Sequence, residues 1–184
     1  MRFYGNTGVC ARRVRSPCAS ATCTSTVAAH DPVSGAGRIR IVRNIIDNLK
    51  RQHRELTKVT MEIVPRLEAG RVEVEAAVIR RHLQSLSGIL KVHTAMEDRS
   101  FYPFLMAHRD LELRGLATRF LAARDEIQER YLAYSARWLE AGAIEKDAAR
   151  FVAESRAMFL ELGTRMMQED REFHPLVLER DAQS

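Results

Sequence analysis

His93 and Glu97 stand four residues apart in the stretch His93-Thr-Ala-Met-Glu97-Asp98-Arg99-Ser-Phe101-Tyr102-Pro103. On a helix that spacing is about one turn, so both side chains share a face, and an imidazole beside a carboxylate is a metal-ligand pair by type. Seventy-two residues later the pattern returns as Arg165-Met-Met-Gln-Glu169-Asp170-Arg171-Glu-Phe173-His174-Pro175. Both copies spell Glu-Asp-Arg-x-Phe-aromatic-Pro, but one turn before the second Glu stands an arginine, which makes an ion pair by type. A further imidazole, His53, falls in the apolar stripe of an earlier segment.

Four amphipathic segments must position these groups. From Arg38, Val42, Ile45, Ile46, Leu49, Leu56, Thr60 and Ile63 recur at helical steps, ending near Pro65 to Gly70. A second helix is expected to carry Val74, Ala77, Leu86, Ile89, Leu90, His93, Glu97 and Phe101 inward, closing within a turn or so of Pro103. A third starts at the N-cap Asp110, with Leu116, Phe120, Ala123, Ile127, Tyr131, Tyr134 and Trp138 in its stripe and no polar ligand among them. After a turn at Ala141-Gly142-Ala143, a fourth runs from about Glu145, turning Phe151, Ser155, Met158, Leu162, Arg165, Glu169 and Phe173 inward. Beyond Pro175 a short polar tail is expected. The fold class is all-α, an antiparallel up-down-up-down four-helix bundle over residues 38 to 180. The repeated heptapeptide implies two similar hairpins about a pseudo-twofold axis, so that His53, His93, Glu97, Arg165 and Glu169 converge in the core.

Residues 1 to 37 read as a disordered leader and linker, rich in Arg, Ser, Thr, Ala and Gly and without an acid before Asp31. This segment holds four Arg and one Asp, so three of the five net positive charges lie there. The rest of the chain mixes both signs, which points away from nucleic acid. The leader also holds all three cysteines, Cys10, Cys18 and Cys23, with neither a disulfide framework nor a paired CxxC. No run of 18 apolar residues exists, so no membrane span is expected, and a cytoplasmic location follows as an expectation. Phosphate-binding loops and nucleophile elbows are missing too. His82, three turns before His93 and about 16 Å away along the axis, reads as a boundary histidine, too distant to share a metal with it.

The signature His93-x-x-x-Glu97 followed by Glu-Asp-Arg-x-Phe-Tyr-Pro, with His53 in Leu49-Lys-Arg-Gln-His53-Arg-Glu-Leu56, resembles hemerythrin-like domains, the HHE cation-binding family, over about residues 40 to 178. The resemblance implies four helices around a non-haem iron pair that binds or senses oxygen. Its ligands would be one His from the first helix, a His-x-x-x-Glu pair from the second, His from the third, and His plus carboxylate from the fourth. His53, His93, Glu97 and Glu169 match metal-ligand positions. The third-helix His position falls at or beside Ile127, between Glu126 and Gln128, and the fourth-helix His is replaced by Arg165, which cannot ligate a metal.

Two outcomes are open. Either a single Fe, Mn or Zn is held by His53, His93, Glu97 and Glu169, or Arg165 takes the place of the ion, bridging Glu169 and Glu97 while the histidines bond to the carboxylates. The arginine reading is preferred. The function expected is that of a sensor or regulatory protein with partial or lost metal binding, rather than an enzyme, because no general acid or base is identifiable outside the ligand set. The alternative is a metal-free bundle acting through a protein partner, since residues 151 to 176 are faintly similar to bacterial regulators that bind the housekeeping sigma factor.

Overall fold

The computed structural model describes residues 35 to 183, and these are helical almost throughout, without a strand among them. Helix α1 spans Gly35–Glu68 and α2 spans Val72–Met96. A π-helical turn, Glu97–Phe101, joins α2 to α3, Tyr102–Met106. Helix α4 covers Leu111–Trp138, the short α5 Ala143–Lys146, and α6 Ala148–Gln168. A second π-helical turn, Glu169–Phe173, leads into α7, His174–Ala182. The expected leader, with its cysteines, lies up to residue 34 outside the described residues, and Gly35 to Gly37, expected as linker, are already helical.

The local causes are readable. Gly70 at φ +65° ends the first hairpin arm, and Gly142 at φ +78° makes the turn before α5, both in the left-handed region that glycine enters without a Cβ penalty. Asp110 caps α4 by accepting from the backbone N–H groups of Glu112 and Leu113, and Asp147 caps α6 through Arg150 N–H.

Both copies of the repeat form the same π turn. The Tyr102 N–H reaches the Glu97 carbonyl and the His174 N–H reaches that of Glu169, one residue wider than an α-helical bond. Pro103 and Pro175 then sit in the first turn of the next helical segment, where a missing N–H forfeits nothing. The chain after Pro175 is therefore no polar tail: α7 continues to Ala182 and packs on α1, with Val177 and Asp181 buried.

Two apolar clusters fill the interior. One joins Leu56, Ile63, Ile79, Leu83 and Leu86 to Tyr131, Trp138, Phe151 and Leu162; the other joins Val42, Ile46 and Leu49 to Phe101, Leu113, Phe173 and Val177. Tyr131, Tyr134 and Trp138 are core side chains whose polar ends reach Ser87, Ser155 and Glu154. Two expected inward residues of α2 face out: Val74 is 85% exposed and Ala77 is exposed, while Val72, Ala76 and Ile79 are buried. Counting back from Leu86 explains this, since twelve residues leave Val74 about 120° around the axis and nine leave Ala77 on the opposite side. Ala123 of α4 is likewise exposed. No helix among the described residues is long and apolar enough to cross a membrane.

In urea denaturation, Ile79→Ala should cost about 2–5 kcal/mol, as a buried aliphatic truncation does, and Val74→Ala less than about 0.5 kcal/mol. The reverse order would move the inner face of α2.

Candidate metal centre

Between the two apolar clusters lies one buried polar layer. The middle of α1 supplies Gln52 and His53, the last turn of α2 supplies His93, and the last turn of α6 supplies Arg165. Glu97 and Glu169 are the first residues of the two π turns, both almost fully buried. Charged groups there are costly unless each meets a partner of opposite charge or a donor.

His53, His93 and Glu169 come together, each offering a ligand atom within 4.8 Å of the other two. His53 places Nδ1 3.0 Å from Asp170 Oδ1 and Nε2 3.2 Å from Glu169 Oε2. An ionised carboxylate only accepts, so an N–H at Nδ1 suits Asp170 and one at Nε2 suits Glu169; the two carboxylates favour the protonated ring, and loss of the Nε2 proton would free a lone pair beside Glu169. His93 is arranged alike, with Nδ1 3.1 Å from the Gln52 amide oxygen and Nε2 turned toward Glu97 Oε2 at 3.7 Å. A histidine whose far nitrogen is held by a carboxylate or amide oxygen is oriented as metal-binding histidines are. Glu97 adjoins His93 without joining the trio.

The opposite side is built from guanidinium groups. Arg165 donates from Nε to Glu169 Oε1 at 2.5 Å and from Nη2 to the Phe120 carbonyl at 2.9 Å and the Tyr102 hydroxyl at 3.3 Å, with its plane over the Phe120 ring. The expected bridge from Arg165 to both glutamates is therefore half right. Glu97 is faced by Arg124 of α4, whose Nη1 lies 3.6 Å from Glu97 Oε2 and donates to Asp98 at 2.6 Å, while Asp125 takes its Nε and Nη2. The third long helix thus does send a polar group to the site, from position 124. Its side chain is only 11% exposed. Ile127 lines an adjoining cavity of about 40 Å³ with Leu86, Leu90, Leu162 and Arg165.

Four residues of this arrangement escaped the sequence reading: Gln52, Arg124, Asp170 and His174. Asp170 and His174 carried a signal, since both belong to the repeated motif. Arg124 stands four residues after Phe120 and so also fits the stripe.

One observation suits a cation: His53 Nε2 and Glu97 Oε2 are buried without a hydrogen-bond partner among the described residues. Arg124 and Arg165 face Glu97 and Glu169, and the further partners of Arg124, Asp98 and Asp125, are more than half exposed. Two imidazole nitrogens and a carboxylate oxygen are donors that iron, manganese and zinc accept.

The same environment spreads the titrations of the metal-free site. Burial raises the Glu169 carboxyl, but the close His53 imidazole and the Arg165 charge outweigh it and hold it at about 2. Burial, then the charge of Glu169, pushes Glu97 well above the usual carboxylate range. Burial and the neighbouring His53 lower His93 to about 4, whereas for His53 the contacts with Glu169 and Asp170 overcome burial and raise it above 6.5.

By linkage, His93 contributes stability that is complete above pH 6.5 and lost as pH falls toward 4; Glu169 contributes stability that is lost from 4.5 down through 2. The His53 contribution is present below 6.5 and lost as pH rises through its raised value. Proton NMR of the metal-free protein should show His93 titrating near pH 4 and His53 above 6.5; the opposite order would contradict the assigned partners. Arg165→Met, which leaves Glu169 buried and without its guanidinium, should cost about 3–5 kcal/mol in denaturant unfolding.

An all-helical bundle with histidines and carboxylates gathered in one buried layer defines the class of helical cation-binding domains. Residues 44–177 match the family model of the hemerythrin HHE cation binding domain. The chain belongs to that family. No curated protein matches it, and no solved structure does.

Proposed function

We propose that this protein holds one divalent metal ion, iron by preference, at His53, His93 and Glu169, with Glu97 as the adjoining carboxylate, and serves as a sensor or regulator. The observation carrying this reading is that His53, His93 and Glu169, all buried, each bring a ligand atom within 4.8 Å of the others, while the histidines have their Nδ1 engaged by Asp170 or Gln52. Two histidines and one carboxylate with open positions suit mononuclear non-haem Fe(II). Arg124 and Arg165 take the side where a second ion would need ligands, which supports one ion per chain and argues against reversible oxygen carriage by an iron pair. The adjoining cavity of about 40 Å³ has room for a very small molecule, which favours sensing over turnover of a larger substrate. We read the bundle as up-down-up-down, with α2–α3 and α6–α7 as the arms carrying the repeats.

Bound iron would supply a redox-active Lewis acid. The chain's own groups do the rest: Asp170 and Gln52 orient the imidazoles, Arg165 holds Glu169 Oε1 so that Oε2 faces His53, and the apolar clusters keep water away from the layer.

One observation favours a metal-free bundle acting through a protein partner, namely the pairing of Arg124 and Arg165 with carboxylates. Elemental analysis separates the two readings. Protein from iron-containing medium should carry about one equivalent of metal, and chelator should lower Tm by roughly 5–10 °C, as loss of a ligand held at about 100 Kd does. His53→Leu and His93→Leu should each abolish the metal content. A metal-free parent whose Tm ignores chelator would overturn the proposal.

A further inference from the structure

His174 is buried, yet its ring lies outside the trio that would hold an ion. Its Nδ1 is buried 3.2 Å from Asp170 Oδ1, the same oxygen that His53 Nδ1 meets at 3.0 Å, and has no well-formed hydrogen bond among the described residues, so Asp170 is the carboxylate within its reach. The two imidazole rings are nearly parallel, 16° apart with centroids at 5.9 Å, and Phe101 meets the His174 ring edge-on at 5.4 Å. Packing therefore fixes the ring, and its Nδ1 faces Asp170. Asp170 needs such a hold, because its side chain is 34% exposed and lies in an open surface groove with Arg54, Thr57 and Met167.

In the first copy of the repeat the equivalent residues serve a different neighbour. Asp98 holds Arg124, and Tyr102, at the position of His174, lies under Arg124 and accepts from Arg165. The aromatic position of each copy thus backs the group that its own Asp orients: a guanidinium in one case, an imidazole in the other.

We propose that His174 is a positioning residue: acting through Asp170, it holds His53 with its Nδ1 protonated and its Nε2 lone pair directed into the site. Its effect on metal affinity rests on the function proposed above; its effect on the His53 tautomer does not. An oriented and hydrogen-bonded imidazole is a better ligand, and loss of such a partner lowers metal affinity roughly 10–100-fold.

The test uses His174→Phe, which keeps a stacked ring without a donor, and His174→Asn, which puts an amide N–H where Nδ1 stands but removes the ring. Zn(II) is titrated into the metal-free full chain, and ¹⁵N NMR at a pH where His53 is neutral reads its tautomer. The expected result is a roughly 10–100-fold loss of Zn(II) affinity and a mixed His53 tautomer in His174→Phe, both largely restored in His174→Asn even though its Tm is the lower of the two. Asp170→Asn should reproduce the affinity loss, and it stands in should His174→Phe not fold. Parental affinity and a parental His53 spectrum in His174→Phe would reduce His174 to packing and overturn the inference. Should the parent itself bind no Zn(II), the function proposed above fails, and the tautomer in the metal-free proteins still decides the role of His174.

Discussion

Two glutamates buried in one layer repel each other, and everything around Glu97 and Glu169 can be understood as an answer to that repulsion. On one side stand the imidazoles of His53 and His93, on the other the guanidinium groups of Arg124 and Arg165. The guanidinium groups bring permanent charge and a fixed fork of donors; the imidazoles bring lone pairs that only a proton or a metal ion can use. A carboxylate with one oxygen on Arg165 and the other toward His53 is poised between these chemistries. The asymmetry distinguishes this domain from a centre with histidines all round, and the proposal of one ion per chain rests on it.

The backbone that delivers the glutamates is the same on both arms. Each π turn begins at the glutamate, turns the following Asp toward a neighbouring helix, and seats the Phe in the apolar cluster beneath. Phe173 stacks on Phe120 at 4.1 Å and meets Phe101 edge-on at 5.6 Å, so the two arms are joined through their repeats just under the polar layer. The layer is therefore held from the side of the Phe contacts, and side chains rather than backbone distinguish its halves. At the far end of this cluster Asp181 of α7 takes the Arg38 guanidinium at 2.8 Å and lies 3.6 Å from the buried His108, which ties the end of the chain to the start of α1.

Much of this was legible in the residues. An imidazole four positions before a carboxylate, and the same heptapeptide 72 positions on, are local signals that helical geometry turns directly into a shared face. What stayed hidden depended on choices that periodicity leaves open. Both Ala123 and Arg124 fit a stripe that contains Phe120 and Ile127, and a long guanidinium can enter from the edge of a stripe where a short side chain is simply left outside. Pro175 read as a stop because an α-helical ladder was assumed; the wider π turn removes the conflict and α7 follows. His174 read as one more aromatic, and only the position of Asp170 in space shows that its nitrogen matters. The family match over residues 44–177 falls within the span read from the sequence and does not specify which side chains of the layer meet.

The most direct measurement is an anomalous-difference map from crystals of the iron-loaded protein. The account predicts a single peak in contact with His53 Nε2, His93 Nε2 and Glu169, with Arg124 and Arg165 still turned inward on the opposite side. Two peaks, or one peak on the Arg165 side with that guanidinium swung out to solvent, would contradict it.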